Sequence, residues 1–329
     1  MADRHKAFVT APFRGEGMAT LEGVAEVVYD PWIEQSPLRI LNGEKLAERL
    51  RAEGADILIV ESDSVKGPVF DVPLVAIGSC RGDPNNVDVA GATAAGVPVL
   101  RAPGRNADAV AELTMALMLA VNRWIVPADH DVRAEQVYAG GKIPYQRYRA
   151  WQLAGRTAGV VGLGAVGRAA AWRFAGLGMR VLSYDPYNPD ATHHTPAELD
   201  QMLGECDVVS MHAVVTPETE RLIGAAQFAA MKDGAIFLNT ARAMLHDTDA
   251  LVAALQSGHL AGAGLDHFEG EHIAADHPLC AMQNVVLTPH IGGATYDTEA
   301  NHSKLIADDV ARIVRGEKPV NCVNPEVLN

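Results

Sequence analysis

Residues 157–167 read TAGVVGLGAVG, and this stretch constrains the fold more than any other. A run of strand formers, Ala158–Val161, enters Gly162-x-Gly164-x-x-Gly167, and the alanine-rich AVGRAAAWRFAG follows at once. That order predicts a strand turning tightly into a helix. A second apolar run, Arg180–Tyr184, closes on Asp185, 18 positions after Gly167. Each part has a physical task. Gly162 permits the turn, Gly164 lets backbone approach a pyrophosphate, and Gly167 lets helix and strand pack closely. The helix N-terminus, with Ala165 and Val166 in its first turn, offers unpaired N–H groups to phosphate. Asp185 suits the ribose hydroxyls of NAD and repels the extra phosphate of NADP, and Pro186 and Tyr187 supply no arginine to reverse that preference. The expectation is a dinucleotide fold that binds NAD.

The fingerprint begins near residue 157 of a chain of 329, behind about a hundred residues of another α/β unit. Short apolar runs alternate with amphipathic stretches on both sides of it, which predicts α/β architecture. In the first part, strands are expected at Lys6–Thr10, Ile57–Val60, Leu74–Ile77 and Val97–Leu100. A helix over Gly43–Ala52 would be capped by Asn42. The tail, Thr298–Arg315, reads as one more helix. Two Rossmann-like or flavodoxin-like doubly wound parallel-sheet domains are therefore expected, with a cleft between them. Residues 105–290 would form the NAD-binding domain, inserted into a substrate-binding domain made of 1–104 and 291–329.

Asn106–Arg123, NADAVAELTMALMLAVNR, predicts a long helix apolar on nearly every face. Such a helix is either buried in its own chain or packed on a partner, and a homodimer formed through this region is expected. The charge, 27 basic against 41 acidic residues for a net −14, disfavours nucleic acid and anionic membrane surfaces. Any anionic ligand would have to meet locally placed arginines. Four scattered cysteines without a CxxC pair suit a reducing compartment. The opening MADRHKAFVTAPF lacks the apolar core of a signal peptide, and the longest apolar stretch is too short to cross a bilayer. A cytoplasmic location is expected.

Three later segments carry chemistry. FLNTAR (237–242) is a strand that ends in an arginine. LAGAGLDHFEGE (260–271) is a strand that ends at Asp266, with Glu271 five residues beyond. NVVLTPHIGGAT (284–295) is a strand that ends before His290, which stands behind Pro289 and ahead of Gly292 and Gly293. Ligands of open α/β sheets gather at the carboxyl ends of strands, where Arg242, Asp266 and His290 all fall.

GLGAVG with YDPY, then NTAR, GLDHFEGE and LTPHIGG, resemble in order and spacing the D-isomer-specific 2-hydroxyacid dehydrogenases, which include phosphoglycerate dehydrogenase and glyoxylate/hydroxypyruvate reductase. The likeness extends through NVDVAGATAAGVPV and AVAELTMAL, and so covers nearly the whole chain. It implies an NAD-dependent oxidoreductase that interconverts a D-2-hydroxyacid and its 2-keto acid. By this resemblance Arg242 holds the substrate carboxylate and polarises the adjacent carbonyl. His290 exchanges the proton of the carbonyl oxygen, and Glu271 bonds the other ring nitrogen, orients the imidazole and favours its charged form. Pro289 would stiffen the approach to His290, and Gly292 and Gly293 would give backbone room and a flexible joint. The resemblance also implies cofactor contacts from Ala165, Val166, Ala213, Val214, Thr219, Thr240, Ala241, Arg242, Asp266, His290, Gly292 and Gly293. Substrate contacts are implied from Cys80, Arg81, Gly82, Arg242 and His290.

The loop GSCRGDPNNVD departs from the family pattern. Ser79 stands in place of an arginine, and Arg81 and Asp83 in place of glycines. Arg81 is then either a second anchor for an anionic or polyhydroxylated substrate, such as a sugar acid or a phosphorylated hydroxyacid, or the partner of Asp83 or Asp88. Val214, Ala243 and His272 replace a proline, a glycine and a proline of the pattern. His267, His272 and His277 with Glu269 and Glu271 match no regular zinc spacing, so no metal is expected. Cys80 has no evident base to activate it as a nucleophile. A reading from a different class is an NAD(H)-sensing corepressor-like binding protein on the same fold. Formate dehydrogenase also shares the fold, but its chemistry needs no proton donor, whereas Glu271 and His290 are both here.

Overall fold

A computed structural model describes residues 4–188 and 192–328. The first three residues of the N-terminal stretch discussed above lie outside the described part. The strands are β1 (His5–Val9), β2 (Ala25–Tyr29), β3 (Ile57–Val60), β4 (Ala76–Ser79), β5 (Val99–Leu100), β6 (Thr157–Val161), β7 (Arg180–Tyr184), β8 (Thr195–Pro196), β9 (Val208–Met211), β10 (Ala235–Asn239), β11 (Leu260–Leu265) and β12 (Val285–Leu287). They form two parallel sheets, ordered β2-β1-β3-β4-β5 and β12-β11-β10-β9-β6-β7-β8. The first is the flavodoxin-like order. The second is the Rossmann order with one strand added at its far edge.

The chain divides into two compact units, 1–105 with 295–329, and 106–294. It thus passes from one to the other twice. In the first unit, Ile57–Val60 reads as predicted and is fully buried. The expected strand at Leu74–Ile77 begins two residues later, at Ala76, and that at Val97–Leu100 shrinks to Val99–Leu100. Asn42 caps its helix as expected, accepting from the Lys45 N–H at 3.0 Å, and the helix runs one residue longer, to Glu53. Two elements carried too weak a pattern to be predicted: the helix Glu16–Val24 and the half-exposed edge strand β2. The C-terminal helix, Tyr296–Val314, is capped by Thr295 and buries Ile306, Ala307 and Val310 among Ala7, Val9 and Ile59 of this unit's sheet.

In the second unit, the apolar helix runs Ala107–Asn122. Val110, Ala111, Thr114, Met115, Leu117, Met118 and Val121 are buried within the unit, so most of its apolar surface already has a place. The glycines of LAGAGL make this packing close. A Cβ on Gly262 would lie 2.6 Å from Val121 Cγ1, and one on Gly264 2.9 Å from Leu117 Cβ. Exposed apolar surface lies further along the chain. A second helix, Ile125–Arg133, and the stretch to residue 151 expose Val132, Tyr138, Tyr145 and Trp151. Among the described residues no single helix is long and apolar enough to cross a membrane.

Candidate active site

The glycine turn has three different constraints at its three positions. Gly162 has φ 91°, and a Cβ there would lie 2.5 Å from the Ala213 nitrogen. At Gly167 a Cβ would come within 1.9 Å of the Gly162 carbonyl oxygen. A Cβ on Gly164, by contrast, would meet nothing within 4 Å. Two glycines are required by the protein itself, and the third borders open space at the N-terminus of the helix Ala165–Gly176. That opening is what a pyrophosphate needs.

Asp185 follows β7. Its carboxylate accepts from the N–H of Leu163 (2.6 Å), Tyr187 (2.9 Å) and Asn188 (3.1 Å) and from Asn188 Nδ2 (3.0 Å). Burial pushes this carboxyl up, but the donors outweigh it and hold it below the usual range. Asp185 thus ties the glycine turn to its own loop, and it lines a cavity of about 500 Å³ with Leu163, Tyr184, Ala197 and Gln201. Arg168, which the sequence reading passed over, donates from Nη1 to the Leu163 carbonyl at 2.5 Å. Its guanidinium therefore stands beside the glycine turn, and the signal was a cation one residue beyond the fingerprint.

Arg242 lies three residues past β10. Asn239, buried at the strand end, organises its loop: Oδ1 accepts from the Ala241 N–H (3.0 Å), and Nδ2 donates to the Arg242 carbonyl (2.8 Å) and to His246 Nδ1 (2.9 Å). The Arg242 side chain is exposed and bonds only the Ala241 carbonyl, at 2.6 Å. Among the described residues it forms no ion pair. Thr240 turns the other way, its hydroxyl 2.8 Å from that of Thr114 in the interior. The Thr240 hydroxyl is therefore committed to the interior. Thr219 likewise spends its hydroxyl on its own loop, donating to the Val214 carbonyl (2.6 Å) and accepting from the Thr216 N–H (2.7 Å). Val214 is largely exposed beside it.

Asp266 closes the third loop. Fully buried, it accepts from Thr288 Oγ1 (2.6 Å), the Ile291 N–H (2.9 Å) and the Gly292 N–H (2.8 Å). It thereby grips the segment carrying His290 from both sides. Gly292 is needed for this grip, since a Cβ there would lie 3.0 Å from Asp266 Oδ2 and 3.3 Å from Val110 Cγ2. Gly293 is packed against Asn106. The room these glycines provide is used by the loop itself.

His290 Nδ1 lies 2.8 Å from Glu271 Oε1, and both side chains are about half exposed. Their backbones have φ 54° and 57°, a left-handed conformation that costs a residue with a Cβ of order 1 kcal/mol. His267, weighed in the sequence only as a metal ligand, joins them: its ring centroid lies 3.8 Å from that of His290, with Nδ1 3.8 Å from Glu271 Oε1. The donor atoms of His267, Glu271 and His290 lie within 4.8 Å of one another. His272 and His277 do not join them; they line an adjacent cavity of about 320 Å³ with His246 and Asp247, which His267 also borders.

The loop 78–88 belongs to the first unit. Arg81 donates from Nε to the Glu61 carbonyl (2.5 Å) and from Nη1 to Asn85 Oδ1 (2.7 Å). Asp88 caps the helix Val89–Ala94. Ser79 donates to Asn86 Oδ1 at 2.8 Å, which ties the loop's ends together. Cys80, which the resemblance implied as a substrate contact, has a fully buried side chain; its N–H bonds the Val60 carbonyl, and burial pushes its thiol well up. Nearby in the same unit, Arg105 bonds Glu61 (2.5 Å) and His302 Nδ1 (2.7 Å), a partly buried cluster with no recognisable sequence signal.

Residues 115–292 match the family described as D-isomer specific 2-hydroxyacid dehydrogenase, NAD binding domain. The chain belongs to this family. It is an NAD-dependent oxidoreductase that acts on a CH–OH group and its keto counterpart. Among similar proteins, a glyoxylate reductase of Thermofilum pendens is 36% identical over 99% of this chain and 96% of its own. A D-3-phosphoglycerate dehydrogenase of Methanocaldococcus jannaschii is 33% identical over 97% of this chain and 59% of its own. The NAD-complexed D-isomer specific 2-hydroxyacid dehydrogenase of Lactobacillus delbrueckii ssp. bulgaricus superposes with TM-score 0.80 at 25% identity, over 97% of this chain and 100% of that one.

Proposed function

We propose that this dehydrogenase reduces a 2-keto acid, or oxidises the matching D-2-hydroxyacid, with Arg242, Glu271 and His290 as its catalytic residues. One observation carries the reading. The only arginine at the ends of β10–β12 is exposed and without an ion pair among the described residues, in a chain of net charge −14, and the same unit carries a histidine–glutamate pair at the end of the next strands. An unpaired guanidinium is a ready fork for a carboxylate and its neighbouring carbonyl. His290, hydrogen-bonded through Nδ1, keeps Nε2 for the carbonyl oxygen and gives it a proton in reduction. Glu271 fixes the tautomer and stabilises the imidazolium. Bound NADH supplies the hydride. Gly164, Ala165 and Val166 would hold its pyrophosphate with Arg168 beside them, and Asp185 its adenosine ribose. No metal ion is called on.

The unit 106–294 would then bind NAD, and the unit 1–105 with 295–329 the substrate. Arg81, held by Glu61 and Asn85, is a preorganised second anchor for an anionic or hydroxylated substrate tail, such as that of a sugar acid or a phosphorylated hydroxyacid. The exposed Val132, Tyr138, Tyr145 and Trp151 support a homodimer formed over residues 125–151 rather than by the helix preceding them. The scattered free cysteines fit a cytoplasmic enzyme.

The test is NADH consumption with glyoxylate, hydroxypyruvate, pyruvate, phosphohydroxypyruvate and sugar-derived keto acids, run beside His290→Ala. Turnover that the variant loses while still binding NADH upholds the reading. Tight NADH binding with no turnover on a broad panel would favour a sensor of NADH instead.

A further inference from the structure

The dyad has a structural weakness. His290 and Glu271 are both partly exposed, both sit in strained left-handed backbone, and one hydrogen bond between them does not fix the plane of the imidazole. A general acid must hold its ring steady to within a fraction of an ångström. Among the described residues, the aromatic ring packed against His290 is the imidazole of His267, at 3.8 Å between centroids and 50° between planes. The His267 side chain is 4% exposed and follows Asp266, the residue that grips the His290 loop. Strand β11 thus delivers a brace for the backbone at one position and a wall for the ring at the next.

We propose that His267 is a positioning residue for His290: its buried ring is the flat wall that, with the Glu271 hydrogen bond, sets the plane in which His290 presents Nε2 to the substrate. This rests on the reading of His290 as the proton donor. His267 meets one requirement of such a wall, that it not compete for the proton. Burial, then the nearby His290 and Arg242 charges, push its imidazole down to about 4, with Glu271 opposing, so the ring is neutral at neutral pH. A neutral aromatic face also tolerates a cationic neighbour. Glu271 is nearer to His290 (2.8 Å) than to His267 (3.8 Å), so its charge is directed at the ring that must carry the proton.

The experiment compares wild type, His290→Ala, His267→Ala and His267→Phe in chelator-treated buffer with the best keto acid found. For His267→Ala we expect kcat to fall about tenfold, with KM for the keto acid and Kd for NADH changed less than about twofold, because binding groups stay in place while the acid loses its alignment. His267→Phe restores the flat face without a titratable nitrogen and should return kcat to within about threefold of wild type. Unchanged NADH binding shows that the variants are folded. Three results overturn the proposal: full kcat in His267→Ala, a matching loss in KM or NADH affinity instead of kcat, or a His267→Phe protein that binds NADH yet is as slow as His267→Ala. Full activity in His290→Ala would overturn the underlying reading as well, and only that result would do so.

Discussion

Nδ1 of His290 and Oε1 of Glu271 stand 2.8 Å apart, and both residues hold a left-handed backbone that their side chains disfavour. Strain at two residues that touch is paid for by the loops around them. Asp266 holds the His290 segment with three hydrogen bonds, and the Glu271 N–H is held by the Phe268 carbonyl. Replacing Glu271 by glutamine keeps a hydrogen-bonding group of the same size and removes its charge. Steady-state kinetics should show kcat reduced about tenfold and NADH affinity unchanged, the loss belonging to the unstabilised imidazolium.

Arg242 should act on substrate and not on cofactor. Arg242→Gln should raise KM for the keto acid by about a hundredfold or more, since a charge-assisted bidentate contact is replaced by a neutral one. Fluorescence titration should find NADH bound as tightly as before.

The glycine turn separates folding from binding. Gly162→Ala must fit a Cβ 2.5 Å from backbone at φ 91°, and thermal unfolding should show it strongly destabilised. Gly164→Ala adds a methyl to open space, so its Tm should match wild type while NADH affinity falls by about tenfold or more through crowding of the pyrophosphate.

Asp266→Asn places an amide where three donors converge on a buried carboxylate. At least one donor then faces an N–H₂ group, at a cost of about 2–3 kcal/mol. Urea unfolding should report that loss, and kcat should fall with it because the same loop carries His290.

Stability should decline in mild acid. Burial holds the imidazoles of His212, His246 and His302 each down to about 4. The unfolded chain titrates near 6.5, so it binds these protons first, and stability that is complete above about pH 6.5 is lost as the pH falls toward about 4, on the order of a few kcal/mol per histidine. The neutral form of His302 fits its setting, with Nε2 donating to the Pro12 carbonyl and Nδ1 accepting from Arg105. Denaturant midpoints measured from about pH 7.5 down to about pH 5 should fall steadily; a flat profile would contradict these buried neutral rings.

The legible parts of the sequence were those where one physical demand acts alone. Gly162 and Gly167 must be glycine for steric reasons, the strand ends place Arg242, Asp266 and His290, and Asn42 had one function to perform. What escaped was set by tertiary contact. Nothing in GLDHFEGE says that His267 will lie against His290, because the two meet only through the pairing of β11 with β12 and the turns after them. Likewise, nothing in NTAR says that the Thr240 hydroxyl turns inward to Thr114, since that contact is made with a distant helix. The sequence of the apolar helix Ala107–Asn122 left open whether it is buried in its own chain or against a partner, because it could not reveal that glycines on β11 let much of it sink into its own unit.

The most direct test is a single-turnover reaction with deuterated NADH, following label and configuration at C2 of the product by NMR for wild type and His290→Ala. Deuterium should arrive at C2 of a D-hydroxyacid in the wild-type reaction, and the variant, with NADH bound, should transfer it about a hundred- to ten-thousandfold more slowly. Transfer at an undiminished rate in His290→Ala, or an L-configured product, would contradict the assignment.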